Sequence, residues 1–337
     1  MTIRMGVVGM GFMGQTHARA IRAAEGCVLA GVCDHQGDRR GGRATVAGNL
    51  DNGAGVDLSG AKAFDDAGAL FASGEVDAVV IATPTDTHAD LACKALAAGL
   101  DVLIEKPVAL REAEIRRVMA ARDAAGRLAV PAMCMRFWPG WPLLRECVRD
   151  RRYGGLRALR LVRLGSRPEW SAFYRDESRC GGAIFDLHVH DADFVLHLLG
   201  TPAAVSSAGS SDHVATLYRY ADPGLVVTAE GGWMASAGRG FRMRYGAEFD
   251  EATVEFDLAH TPTVTITRGG ETTSPALPAG SGYEAQMRHF VACAGARRAG
   301  GVVGTVPEHP TLEDALRVTA LIEREKESLR SGASVAV

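Results

Sequence analysis

The chain lacks several features that would narrow its role. Its seven cysteines, Cys27, Cys33, Cys93, Cys134, Cys147, Cys180 and Cys293, never form a C-x-x-C pair and are odd in number. This argues against a disulfide framework or a zinc site, so buried thiols and no bound metal are expected. No uninterrupted apolar run is long enough to span a bilayer, and the apolar residues after Arg4 are broken by glycines without a cleavage-like site. Neither membrane insertion nor export is expected, and the protein reads as cytoplasmic. A net charge of −3 gives no electrostatic footprint for nucleic acid or an anionic membrane, which leaves small molecules as the expected partners. Lysine is scarce: of 37 basic residues only Lys62, Lys94, Lys106 and Lys326 are lysines. Arginine cannot supply a compact, deprotonatable ammonium, so each lysine position is informative. There is no internal repeat and no low-complexity linker.

What is present begins within the first 34 residues. Ile3–Val8 reads as an apolar strand, Gly9-Met10-Gly11-Phe12-Met13-Gly14 as a glycine turn opening a helix, and Val28–Cys33 as a second strand ending at Asp34. Gly9 permits a tight turn, Gly11 lets backbone approach a pyrophosphate, and Gly14 lets helix pack on strand. Phosphates would sit on the helix amino terminus, where unpaired N–H groups and the helix dipole favour anions. Asp34, twenty residues past Gly14, can accept hydrogen bonds from an adenosine ribose diol and repels a 2′-phosphate, which points to NAD. His35, Arg39 and Arg40 follow closely and leave NADP as an alternative.

At 337 residues, 47% hydrophobic and 23% charged, the chain has room for two domains with separate cores. Up to about residue 130, apolar segments (Ile3–Val8, Val28–Cys33, Val76–Ala82, Asp101–Ile104, Leu128–Met133) alternate with helical ones (Gly14–Ala24, Asp65–Ala72, Thr87–Ala98, Arg111–Ala125). That alternation predicts a doubly wound parallel sheet of Rossmann type over 1–130. The polar, glycine-rich stretch between Gly37 and Gly60 predicts a short helix and a surface loop. From Leu156 onward, strand-like segments follow one another with turn signals such as Asp222-Pro223-Gly224. Residues 131–337 therefore predict an α+β domain with a large, mostly antiparallel open sheet, which the late helical patterns Tyr283–Ala294 and Leu312–Leu329 would cover. An uncovered apolar sheet face would favour a homo-oligomer, dimer or tetramer.

Three further segments carry chemistry. Thr83, Pro84 and Thr85 leave the carboxyl end of a strand, where wound sheets bind ligands; His88 follows in the first turn of a helix. Glu105-Lys106-Pro107 ends the next strand, and Lys106 is the lysine without an evidently solvated setting. Its ammonium could stabilise negative charge on a substrate oxygen as the proton leaves. The segment from Gly181-Gly182 through Asp186, His188 and His190 runs into an apolar helical repeat ending at Gly200. If helical at Asp186, it places Asp186 and His190 one turn apart, as a carboxylate and imidazole suited to general-base work. If extended, it puts Asp186, His188 and His190 on one face, as in a metal site.

Together these motifs resemble the glucose-fructose oxidoreductase, inositol dehydrogenase and rhizopine catabolism family, the Gfo/Idh/MocA oxidoreductases. The resemblance rests on the glycine turn with His17, on Ala82-Thr83-Pro84 with His88, on Glu105-Lys106-Pro107, and on Asp186 with His190 after the double glycine. It implies hydride transfer between a nicotinamide and a secondary alcohol or ketone of a sugar, polyol or related compound. It further implies that Lys106, Asp186 and His190 meet the substrate: His190 as general base, Asp186 as its orienting partner, Lys106 stabilising the alkoxide-like oxygen. The candidate cofactor-binding residues are Gly9, Gly11, Phe12, Met13, Gly14, Asp34, Thr83, Pro84, Thr85, His88, Glu105 and Lys106. His188 stands where many members have glycine and is held as a substrate contact. Arg136, Trp138, Trp170 and Tyr283 are similarly implied to lie near an interdomain cleft. Two other functions fit the same scaffold: an NAD-bound regulatory or sensor protein, and an NAD-assisted glycoside hydrolase.

Overall fold

A computed structural model describes residues 2–42, 48, 55–169, 171–236, 240–300 and 309–337. Residues 43–47 and 49–54 of the stretch between Gly37 and Gly60, and Trp170, lie outside these residues. The chain divides into two compact units, Met1–Cys134 with Ser281–Leu316, and Met135–Gly280 with Arg317–Val337.

The first unit holds a six-stranded sheet of β1 (Ile3–Val8), β2 (Cys27–Cys33), β3 (Lys62–Phe64), β4 (Ala78–Ile81), β5 (Asp101–Ile104) and β6 (Ala129–Pro131). Its order is β3-β2-β1-β4-β5-β6 and every pairing is parallel. β4 and β5 are buried throughout, as the apolar Ala-Val-Val-Ile and Val-Leu-Ile runs require for strands covered on both faces, while the buried Asp101 accepts from the Leu128 N–H and Arg297. The order reverses between β1 and β4, where Val8 pairs with Ile81, so both strands end side by side at the topological switch point.

The helix Gly282–Arg298 packs on the helix Phe12–Ala23 and on β1, and Met287, Phe290, Val291 and Ala294 join the core that includes Ile3, Met5 and Ile21. The expectation that this helix covers the second sheet is thereby corrected. Its apolar positions fit the first unit's core, although the chain has meanwhile built most of the second unit. A Ser281–Glu284 capping box fixes where the helix starts.

The second unit holds a nine-stranded open sheet: β7 (Leu156–Ser166), β8 (Ala204–Ser210), β9 (His213–Arg219), β10 (Val226–Met234), β11 (Arg242–Phe249), β12 (Thr253–Asp257), β13 (Val264–Arg268), β14 (Glu271–Thr273) and β15 (Val335–Ala336). Its order is β14-β13-β12-β11-β7-β10-β9-β8-β15, antiparallel except for the β7–β10 pair. Trp141 is fully buried, edge-on to Phe194 and Tyr245 with centroids at 4.7 and 5.4 Å. All seven cysteines are unbridged and six are buried.

Candidate nucleotide site and candidate catalytic residues

In the first unit the glycine turn leaves β1 at the switch point. Gly9 has φ +87°, and a Cβ there would lie 2.7 Å from the Ala82 carbonyl oxygen. Both the left-handed conformation and the close approach of the two strand ends demand glycine. At Gly14 a Cβ would fall 1.8 Å from the Gly9 carbonyl oxygen, so the helix can sit this close only without a side chain. Gly11 differs: a Cβ there would meet no atom within 4 Å. Packing therefore does not require glycine at position 11, and the space beside it is open to a ligand. Gly11 also caps the helix Phe12–Ala23 without a side-chain hydrogen bond, and that helix has no acidic residue in its first turn. Its first N–H groups and dipole thus remain suited to an anion. These features fit a dinucleotide pyrophosphate.

Asp34, at the end of β2, is buried. One carboxylate oxygen accepts from the Met10 N–H at 2.8 Å and the other from the Gln36 N–H at 2.8 Å, so Asp34 ties the glycine turn to the neighbouring strand end. An ionised carboxylate offers about four lone-pair sites, which leaves capacity for a ribose diol.

At the adjoining strand ends a second set of bonds fixes the Thr83 and Lys106 loops. The buried His88 ring faces the Thr83 carbonyl at 2.8 Å through Nε2 and the Pro107 carbonyl at 2.9 Å through Nδ1, bracing the turns after β4 and β5. Burial pulls its pKa below the ordinary histidine value, against the pull of those carbonyls. Glu105 is buried too, its Oε1 2.6 Å from His17 Nε2 and its Oε2 accepting the Lys106 N–H at 3.1 Å. Burial alone would raise the Glu105 carboxyl, but His17, Lys106 and His88 outweigh it and hold it below the usual range. Lys106 itself is partly exposed at the end of β5. Thr85 is buried, and Tyr283 lies edge-on to His17 at 6.5 Å. Gly9, Gly14, Asp34, Thr83, His88, Glu105 and Lys106 thus follow the ends of four neighbouring strands, β2, β1, β4 and β5.

In the second unit, Gly181 and Gly182 both have φ +78° and lead into a π-helical turn, Ile184–His188, continued by the α-helix Val189–Leu199. The backbone is helical at Asp186, so the extended metal-site alternative falls away. Asp186 accepts from Trp233 Nε1 at 3.2 Å, and His190 is 9% exposed. His188 points the other way and is fully buried, its Nε2 2.8 Å from Glu325 and 3.1 Å from the Tyr218 hydroxyl. Room for it is made at Gly231 of β10, where a Cβ would lie 2.6 Å from the His188 Cβ. The expectation of a substrate contact at His188 is therefore corrected. Burial lowers its pKa, but the Glu325 carboxylate more than compensates and holds it above the ordinary value.

Two more buried pairs anchor the same helix. Arg163 of β7 reaches Asp191 at 2.8 and 3.2 Å, and Arg136 reaches Asp193 at 2.6 and 2.9 Å, each through both Nε and Nη2. Arg136 and Trp138 are buried members of this unit. Sequence reasoning missed Arg163, Asp191, Asp193, Glu325 and Tyr218, because their partners lie far away in the chain.

The sheet order, the glycine turn and the Asp34 collar define a Rossmann-type nucleotide-binding unit joined to an α+β unit. Residues 3–132 match the family model described as the oxidoreductase family with an NAD-binding Rossmann fold, and 141–255 match the GFO/IDH/MocA C-terminal domain. Inositol 2-dehydrogenase 1 of Saccharopolyspora erythraea is 31% identical over 345 residues, covering 96% of this chain and 93% of that protein. The chain belongs to the Gfo/Idh/MocA oxidoreductase family and carries its NAD-binding Rossmann domain. Rhizopine catabolism protein MocA of Rhizobium meliloti is 34% identical over 200 residues, a match spanning 58% of this chain and only 57% of that relative. Among solved structures, GenD2 from gentamicin A biosynthesis, in complex with NAD, superposes with a TM-score of 0.78 at 24% identity, covering 100% of this chain and 96% of GenD2. That likeness bears on the fold. Among the described residues no helix is long and apolar enough to cross a membrane.

Proposed function

We propose that this protein is an NAD-dependent dehydrogenase that removes a hydride from a secondary alcohol carbon of a sugar or polyol, or returns one to the matching ketone. The observation that carries this reading is the glycine turn at the switch point, with its open approach at Gly11 and its uncapped helix start. The inositol dehydrogenase relative, aligned over nearly the whole chain, supports the substrate class.

In this reading the Gly11 backbone and the first N–H groups of the helix Phe12–Ala23 hold the pyrophosphate, and Asp34 accepts from the ribose diol. Phe12, Met13, Thr83, Pro84, Thr85 and Lys106 line the nucleotide, with His88 and Glu105 fixing the loops that carry them. The nicotinamide, when bound, supplies the hydride acceptor. His190 takes the substrate hydroxyl proton, and Asp186 orients the imidazole. Lys106 stabilises the negative charge left on the oxygen. The open second sheet is proposed to join copies into a dimer or tetramer, which sedimentation measurements would test.

The test is an absorbance screen of sugars, polyols and their acids with NAD and with NADP. Reduction of NAD by at least one polyol or sugar, in preference to NADP, is expected. A preference for NADP would overturn the Asp34 argument, and no reduction with any of them would overturn the dehydrogenase reading.

A further inference from the structure

The first unit also contains a compact cluster of soft and borderline metal ligands. His289 and Cys293 lie four residues apart on the helix Gly282–Arg298, hence on one face. The Cys293 Sγ is 3.4 Å from His289 Nε2 and 3.6 Å from His309 Nδ1. The two imidazoles stack with centroids 5.8 Å apart and planes inclined by 23°. All three ligand atoms fall within 4.8 Å of one another.

We propose that His289, Cys293 and His309 form a binding site for a borderline-soft divalent cation of the zinc class. With bonds of about 2.3 Å to sulfur and about 2.0–2.1 Å to nitrogen, a tetrahedral ion separates its sulfur and nitrogen ligands by about 3.6 Å. Both Cys293 contacts lie close to that spacing. One thiolate with two imidazoles is a donor set for zinc, not for the oxygen-seeking magnesium or calcium. The helix that carries two of the ligands is already fixed by Met287, Phe290 and Ala294 in the core, so little has to move. His289 and His309 are partly exposed, which leaves water to fill the fourth position. On binding, the Cys293 thiol gives its proton to solvent and the thiolate takes its place on the ion. The ion would then staple the chain at residue 309 to a helix position sixteen residues earlier. The site is independent of the dehydrogenase reading and of any step assigned to the nucleotide.

The test uses the full chain stripped of metal with a chelator. It is titrated with zinc against a chromophoric competitor, and separately loaded with cobalt(II). One zinc per chain is expected, and the cobalt form should show a thiolate-to-metal charge-transfer band with tetrahedral d–d absorption. Cys293→Ser should abolish that band, and His309→Gln should weaken zinc binding by about tenfold or more. X-ray absorption of the zinc-loaded wild type covers the case in which Cys293→Ser does not fold, and should find one sulfur beside nitrogen or oxygen neighbours. No saturable one-to-one zinc binding, a cobalt spectrum unchanged in Cys293→Ser, or a sulfur-free shell would overturn the proposal and leave the cluster as thiol–imidazole hydrogen bonds.

Discussion

In the first unit the candidate ligand-facing groups at the glycine turn are backbone N–H groups, placed by glycines at a reversal of strand order. In the second unit the candidate groups are the side chains of Asp186 and His190, on a helix pinned by charge pairs that are themselves buried. A backbone site depends on what is missing at three positions, since Gly9 and Gly14 leave no room for a Cβ whereas Gly11 leaves ample room. A side-chain site depends on what surrounds it: Arg163–Asp191, Arg136–Asp193 and His188–Glu325 fix positions 191, 193 and 188 of the helical segment that carries Asp186 and His190. The first kind of site is sensitive to a methyl group, the second to the loss of a single charge.

The largest expected effect breaks the second kind. Asp191→Ala leaves the Arg163 guanidinium buried without its carboxylate, and chemical denaturation should show a loss of about 3–5 kcal/mol. Replacing both partners by well-packed apolar residues should cost far less. Next come the candidate catalytic groups: Lys106→Ala and His190→Ala should each lower turnover by about a hundredfold or more, with NAD affinity retained in His190→Ala, read from steady-state rates beside calorimetric titration. Near-normal turnover in both would remove their assignment.

The glycines sharpen the contrast. Gly14→Ala forces the helix off the Gly9 carbonyl and should cost about 1–3 kcal/mol of stability as well as nucleotide binding. Gly11→Ala should leave the melting temperature alone and weaken NAD by about tenfold, or about 1.4 kcal/mol. Equal effects of the two substitutions on stability would contradict the reading that only Gly11 faces open space.

The smallest effect is in pH. The His188 pKa is raised in the folded protein, so its contribution is complete below the unfolded value of about 6.5 and is lost as pH rises through the folded value. Melting temperatures taken from about pH 6 to about pH 9 should fall more steeply for the wild type than for Glu325→Gln. Parallel curves would refute this coupling.

The same contrast explains what could be read from the chain. The glycine turn, the strand runs of the first sheet and the hairpin at Asp222-Pro223-Gly224 are local patterns, and the pairing of β9 with β10 follows from such a turn. β3, β14 and β15 are only two or three residues long and carry too little periodicity to be seen. The partners of the second unit's charges were hidden by distance along the chain: Arg163 stands 28 residues from Asp191 and Arg136 57 residues from Asp193. The family motif suggests a substrate contact at His188, and nothing local reveals its partner Glu325 on the last long helix. The docking of the helix Gly282–Arg298 on the first unit followed no local signal either. His289 and Cys293 are four residues apart on one helix, but only the fold brings His309 to them.

The most direct test of the dehydrogenase account is the fate of the hydrogen on the substrate carbon. With NAD and a sugar or polyol that reduces it, deuterated at its carbinol carbons, mass spectrometry of the nicotinamide should find one deuterium in the reduced ring for each ketone formed. Substrate conversion without deuterium in the nicotinamide, or with no net reduction of NAD, would contradict it.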